Sequence, residues 1–210
     1  MIDTAKERNA MNRVLGGILI SAVMAVPVFA ALKQNDKAPD FSAKASLAGK
    51  EFNFSLKDAL KKGPVVVYFY PSAYTGGCNI EAHTFAENKE KFDAAGASII
   101  GVSRDSIARL NAFSADPEYC AGKIAVASDA DGAIATSYGL TKTAIRPGMK
   151  DTRGVEIDHD FTERTTFIVT PDGKVAAVFS TADDKVSPAD HVAKSLAAVQ
   201  QLKSGKSSAQ

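Results

Sequence analysis

The sequence predicts a mixed α/β three-layer sandwich, a central sheet flanked by helices on both faces. Three observations predict it. Segment 65–70 (VVVYFY) is an unbroken β-branched and aromatic run between Pro64 and Pro71, the pattern of a strand buried on both faces. Strand-like and helix-like segments alternate on either side of it up to about residue 140. A turn-linked strand pair and an amphipathic helix then close the chain.

In order, segment 32–42 is polar, carries Pro39 and reads as an extended lead-in. A Gly49-Lys50 turn lies within 46–56, and Phe52 and Phe54 alternate with Asn53 after it, a hairpin pattern. Residues 56–62 form a short helix stopped by Gly63. After the central strand and a loop at 72–77, a helix starts at Cys78, with Ile80, Phe85 and Phe92 on its apolar side, and ends at Gly96. Strands are expected at 98–102 and 124–127. Helices are expected at 106–113, capped by Ser106, and at 132–138. Strand 165–170, the turn Pro171-Asp172-Gly173 and strand 174–179 follow. Helix 187–202 has Pro188 at its first position. This order is compatible with a thioredoxin-like sheet. Connector 141–163 is polar and longer than ordinary loops, a length that suits a functional rim or lid.

Of 210 residues, 45% are hydrophobic and 23% charged, which argues for a globular chain of one domain plus extras. The 25 Lys and Arg against 24 Asp and Glu leave a net charge of +1, which removes any general electrostatic reason for nucleic-acid binding. Two cysteines exclude a multi-bridge scaffold, a four-thiolate zinc site and a cysteine-ligated iron–sulfur cluster.

The extra is N-terminal. Residues 14–29 are an uncharged apolar run preceded by Arg13, and Val28, Phe29 and Ala30 follow the small-x-small pattern. This describes a secretory signal peptide over residues 1–30, with Met11 as an alternative start. The run is shorter than the roughly 20 apolar residues of a membrane span, and would serve as an anchor if left uncleaved. Cleavage after Ala30 removes three basic and two acidic residues and leaves a neutral chain. The expected location is periplasmic or secreted, where disulfides persist. A single domain over 31–205 and a flexible tail at 206–210 complete the layout.

The chemistry converges where the central strand ends, in Pro71-Ser72-Ala73-Tyr74-Thr75-Gly76-Gly77-Cys78. A cysteine in the first turn of a helix faces the positive end of the macrodipole and unpaired N–H groups, which favour a thiolate. Gly76 and Gly77 are read as letting the backbone curl and aim amides at an oxygen anion. Thr75 sets a hydroxyl across the turn from the sulfur, and Pro71 removes an N–H and forms an apolar wall. Each also has a bland reading: Cys78 as a small buried hydrophobe, Thr75 as a helix cap, Glu81 as a first-turn acid, Pro71 as a strand terminator, Arg164 as a surface charge.

Pro71, Thr75 and Cys78 form P-x-x-x-T-x-x-C, which resembles the active-site loop of the peroxiredoxins, in the alkyl hydroperoxide reductase and thiol-specific antioxidant superfamily. The lead-in Ala38-Pro39-Asp40-Phe41, Glu81 three residues past Cys78, Arg164 before the strand 165–169, and Pro171-Asp172-Gly173-Lys174 extend the likeness over residues 37–179. It lies nearest the bacterioferritin-comigratory, or Q-type, branch. The resemblance implies a thioredoxin-like fold and a thiol peroxidase that needs no cofactor and no metal. Its partners would be a hydroperoxide and an external thiol or dithiol reductant, with a homodimer as a possible assembly. It implies that Cys78 is the peroxidatic nucleophile and that Arg164 holds the thiolate and the developing charge. Thr75 would orient the peroxide, Pro71 shield the sulfur, and Glu81 position Arg164.

Cys120 lies in 116–122, past the second long helix. The resemblance offers it as the resolving cysteine, and His83 stands where many Q-type relatives carry that residue; the bland reading is a buried spectator thiol. His83, His159 and His191 are too scattered for a metal site with Cys78, although His159 suits the rim of the site, and the pairs Asp129, Asp131 and Asp158, Asp160 read as turn residues. Two rival classes remain. A thiol–disulfide carrier or copper chaperone would need a second cysteine three or four residues after Cys78, where Glu81 and Ala82 stand. A holdase would need none of Thr75, Cys78 and Arg164.

Overall fold

A computed structural model describes residues 30–205. The leader reading and the tail at 206–210 therefore lie outside the described residues, apart from Ala30.

The chain runs through β1 (Ser42–Leu47), β2 (Lys50–Ser55), α1 (Leu56–Leu60), β3 (Val65–Phe69), α2 (Gly76–Ala94), β4 (Ser98–Ser103), α3 (Ile107–Ala115), β5 (Ala125–Ser128) and α4 (Ala133–Ser137). It continues with β6 (Lys142–Thr143), β7 (Phe161–Thr162), β8 (Thr165–Val169), β9 (Val175–Ser180), α5 (Thr181–Asp184) and α6 (Pro188–Lys203). Seven strands form one sheet in the order β2-β1-β5-β4-β3-β8-β9. β3, β4 and β5 are parallel, and β1 and β8 join them antiparallel, so the sheet is mixed.

β3 is buried throughout and divides the core by alternation. Val66 and Tyr68 face one layer with Phe85 and Phe92 of α2, Leu110 and Phe113 of α3, and Val192 and Val199 of α6. Val65, Val67 and Phe69 face the other with Leu56 and Leu60 of α1, Ala135 of α4, and Tyr138. The ring of Phe85, fully buried, stacks on Tyr68 with centroids 4.6 Å apart and seats α2 on the sheet. Cutting such a ring back to Ala costs about 3–5 kcal/mol.

Local signals act much as expected. Ser106 caps α3 and Pro188 opens α6, as read from the sequence; Ser55 and Ser187, not singled out there, cap α1 and α6 in the same way, each serine accepting the N–H of the third residue on. Asp129 accepts the N–H groups of Ile134 and Ala135 and so caps α4, a turn role like that of Asp131, which accepts from Ala133. The first hairpin turns one residue earlier than expected, at Ala48 and Gly49, both with φ > 0 (52° and 77°), the twist a two-residue hairpin favours. Helix α2 starts at Gly76 and not at Cys78. The connector is not uniform loop: its ends pair antiparallel as β6 and β7, and Lys150 bridges Glu156. The short α5, capped by Ser180, has no sequence period long enough to announce it.

Candidate active site

β3 pairs with β8 in a register that sets Phe69 opposite Thr165. The strand exit that leads to Pro71 and the residue before β8, Arg164, therefore meet at one end of the sheet. The next five residues carry the chain into α2, with Thr75 at the N-cap and Cys78 at the third helical position. Cys78 is 2% exposed, so only a small reactant reaches its sulfur directly.

Arg164 Nη2 donates to Cys78 Sγ at 3.1 Å. Its Nη1 donates to Glu81 Oε2 from the other side, and Glu81 lies one helical turn after Cys78 on the buried face of α2. The three side chains form a chain of sulfur, guanidinium and carboxylate in a dry environment, where charge-assisted bonds are strong. Burial pushes the Glu81 carboxyl up to about 7, although Arg164 pulls the other way. Burial disfavours charge on Arg164 too, but Cys78 and Glu81 outweigh it and raise its proton affinity, so the guanidinium stays charged.

Thr75 does not cap the helix through its side chain; its Oγ1 donates to the Ser72 carbonyl at 2.8 Å. That leaves the hydroxyl lone pairs as acceptors at the mouth of the turn. Pro71 is partly buried at the strand exit. The curl assigned to the glycines is made elsewhere: Tyr74 holds φ 62°, and neither Gly76 nor Gly77 is left-handed. Gly77 instead supplies room, since a Cβ there would lie 3.2 Å from Arg164 Nη2 and 3.3 Å from Pro188 Cγ.

Composition and motif gave no warning of the network under this loop. Asp105, fully buried after β4, accepts from Ala73 N–H at 2.7 Å, from Ser72 Oγ at 2.9 Å and from Ser103 Oγ at 2.7 Å. His159 Nε2 lies 2.9 Å from Asp105 Oδ1, and Arg109 Nε the same distance away. Burial alone would raise the Asp105 carboxyl, but His159 and these donors hold it below the usual carboxylate range. Burial alone would lower His159, and Asp105 overrides it upward. An acid shortly after a predicted strand was the one local trace of Asp105, and the sequence does not show its burial. Its partner on the connector, His159, is 54 residues away.

Cys120 is buried and unpaired, as is Cys78. Both belong to one hydrophobic cluster, which also holds Tyr68 and Tyr70, and burial, with Asp116 adding to it, pushes the Cys120 thiol far up. His83 is half-exposed and sits 2.9 Å from the Glu118 carbonyl, on the same loop as Cys120. His191 is buried between Thr166 and Thr181 and held neutral, pushed down to about 4 by burial and Arg164. The three histidines occupy three separate environments. A groove of about 570 Å³ between β9 and α6, lined by Phe179, Lys194 and Ala198 among others, contains none of Cys78, Thr75 and Arg164.

Comparison with known proteins places this geometry in context. The model of the AhpC/TSA family matches residues 34–178. Peroxiredoxin Bcp of Xanthomonas campestris pv. campestris is 34% identical over 135 residues, 64% of this chain and 75% of the relative. Peroxiredoxin Bcp of Escherichia coli is 30% identical over 148 residues, 70% of this chain and 85% of that one. Among solved structures, peroxidoxin BcpB of Mycobacterium tuberculosis superposes with a TM-score of 0.66 at 28% identity, covering 81% of this chain and 98% of that one. The Xanthomonas campestris bacterioferritin comigratory protein, solved in work on its alkyl peroxide reduction activity, gives 0.59 at 30% identity, covering 76% and 91%.

Proposed function

The chain belongs to the AhpC/TSA family and is a thiol-dependent peroxidase of the Bcp-like peroxiredoxin branch, and from that premise we propose that Cys78 is the atom that attacks the peroxide. The observation that carries the assignment is the 3.1 Å bond from Arg164 Nη2 to Cys78 Sγ, backed by Glu81.

The thiolate sulfur bonds to the terminal oxygen of the hydroperoxide and the O–O bond breaks. Sulfur is oxidised to the sulfenic acid; the leaving oxygen takes a proton from solvent and departs as water or an alcohol. Arg164 faces both the sulfur and the charge that develops beside it, and the low dielectric makes that charge stabilisation large. Thr75 accepts the peroxide O–H while its own proton stays on Ser72. Pro71 offers no competing N–H at the wall of the site. Glu81 fixes the plane of the guanidinium from behind.

Resolution falls to Cys120. Its sulfur bonds to the Cys78 sulfur, the S–O bond breaks, and hydroxide leaves as water with the thiol proton. Buried as it is, Cys120 reacts only after the start of α2 unwinds locally. An external thiol then reduces the disulfide. Alkyl peroxides, the class tied to the Xanthomonas protein, are the first substrates to compare with hydrogen peroxide. The apolar leader at 14–29 supports export, so the reductant would be extracytoplasmic. Both sulfurs come from one chain, and a homodimer is not required for the cycle.

The test is peroxide consumption with dithiothreitol as reductant. Cys78→Ser should abolish it, and Cys120→Ser should retain the first turnover. Consumption by Cys78→Ser at the wild-type rate would remove the assignment; a holdase would be indifferent to the change.

A further inference from the structure

The connector at 144–160 does more than border the site. It grips the loop that delivers Cys78. Thr152 donates to the Tyr74 carbonyl twice, from N–H and from Oγ1, both at 2.9 Å. Arg153 lays its guanidinium on the Tyr74 ring, with Cζ 3.2 Å from the centroid. Asp151 aligns that clamp: its side chain is fully buried, and it accepts from Arg153 N–H, Nε and Nη2, and from Val155 N–H. Arg109 ties the clamp to the protein, donating at 2.8 Å to Asp151 Oδ2 and at 2.9 Å to the Ala73 carbonyl.

What is held there is under strain. Tyr74 is not glycine, yet it sits at φ 62°, a conformation that persists only where surroundings impose it. Its ring also packs on Tyr119, the neighbour of Cys120, with centroids 5.6 Å apart, and on Phe113 with centroids 5.0 Å apart. Asn79, next to Cys78, reaches Thr152 Oγ1 at 3.5 Å. Tyr74 thus lies between the two cysteine-bearing segments, and the connector holds it there.

We propose that Asp151, Thr152 and Arg153 form a latch on Tyr74 that sets how fast oxidised Cys78 leaves its pocket for a second sulfur, without setting how fast it attacks peroxide. The proposal rests on Cys78 as the oxidised residue. No hydrogen bond or ion pair joins the three latch side chains to Cys78, Arg164 or Glu81, so releasing them frees the loop while the attacking geometry survives. The strain stored at Tyr74 drives the opening once the clamp is gone.

The experiment is rapid-quench intact-mass spectrometry of the reduced protein after one equivalent of hydrogen peroxide. It follows gain of one oxygen and then loss of two hydrogens relative to the start. Arg153→Ala, Arg153→Gln and Thr152→Ala are compared with wild type. The Arg153 side chain is 37% exposed, so its substitution leaves the core intact, and the urea midpoint verifies this. The oxygen-gain rate should change by less than about twofold, and the step to disulfide should accelerate about fivefold or more, as befits loss of a cation–π contact and its ion pair. Deuterium exchange over 71–79 should quicken in the same variants. A second arm repeats the series in Cys120→Ser with excess glutathione, reading the rate of mixed-disulfide formation. Acceleration there, with no internal disulfide in wild type, would sink Cys120 as the resolving residue and keep the latch. Unchanged rates in both arms would overturn the latch, and so would an equal fall in the rate of oxygen gain.

Discussion

Replacing Arg164 by Met separates what the buried Cys78–Arg164–Glu81 chain does for activity from what it does for stability. The Glu81 side chain is fully buried, and its carboxyl titrates at about 7 against an ordinary 4.5, with Arg164 holding it from going higher. Without Arg164 the value climbs further. The sign follows from proton counts. Below about pH 7 Glu81 carries its proton in both folded proteins, and the substitution changes stability little through this group. Above pH 7 wild-type Glu81 is ionised both folded and unfolded, whereas the variant must still take up a proton to fold. The gap therefore widens by about 1.4 kcal/mol per pH unit from pH 7 up to the variant's own higher value. Peroxidase activity should fall about a hundredfold or more at every pH, because the donor that faces the sulfur is gone. The assay is urea unfolding followed by circular dichroism at pH 6, 7.5 and 9, in a Cys78→Ser background so that no reactive thiol titrates, with kcat/KM measured separately with Cys78 in place. Adding Glu81→Gln should flatten the pH dependence without restoring activity. A stability loss equal at all three pH values would refute the reasoning, since it would mean that Glu81 does not carry the penalty.

Three further outcomes are expected. Gly77→Ala, whose methyl would press on Arg164 Nη2 and Pro188, should lower kcat/KM about tenfold while the urea midpoint barely moves; full activity would mean the guanidinium has slack. His159, raised by Asp105, contributes stability that is present below its ordinary value of 6.5 and lost as pH rises through its higher folded value, so His159→Gln should reduce the fall in urea midpoint between pH 6 and pH 9, which an unchanged profile would contradict. Thr75→Val should cost about ten- to a hundredfold in kcat/KM, and Thr75→Ser much less, because the hydroxyl and not helix capping is what the site uses; equal losses in both variants would argue against that.

The legible part of this protein was the part written locally. The run of Val65 to Phe69 announces a strand buried on both faces, Ser106 announces a cap, Pro188 announces a helix start, and the spacing of Pro71, Thr75 and Cys78 announces the reactive turn. Arg164 was legible through the resemblance alone, and it is the register of β3 with β8 that brings it to Cys78. The misread pieces are non-local. Gly76 and Gly77 looked like the source of the curl, but a glycine pair also serves close approach, and here Gly77 makes room while Tyr74 bends. Connector 141–163 read as loop because β6 and β7 are two residues each, too short to show alternation. Nothing in the sequence singles out Asp105 or Asp151; only the fold reveals that each is buried under a cluster of donors.

The most direct measurement is peptide mapping of the reduced protein after one equivalent of hydrogen peroxide, read alongside intact mass. The account predicts loss of two hydrogens with Cys78 joined to Cys120, and gain of a single oxygen on Cys78 in the Cys120→Ser variant. An unchanged mass, or oxidation that begins on Cys120 while Cys78 stays reduced, would contradict it.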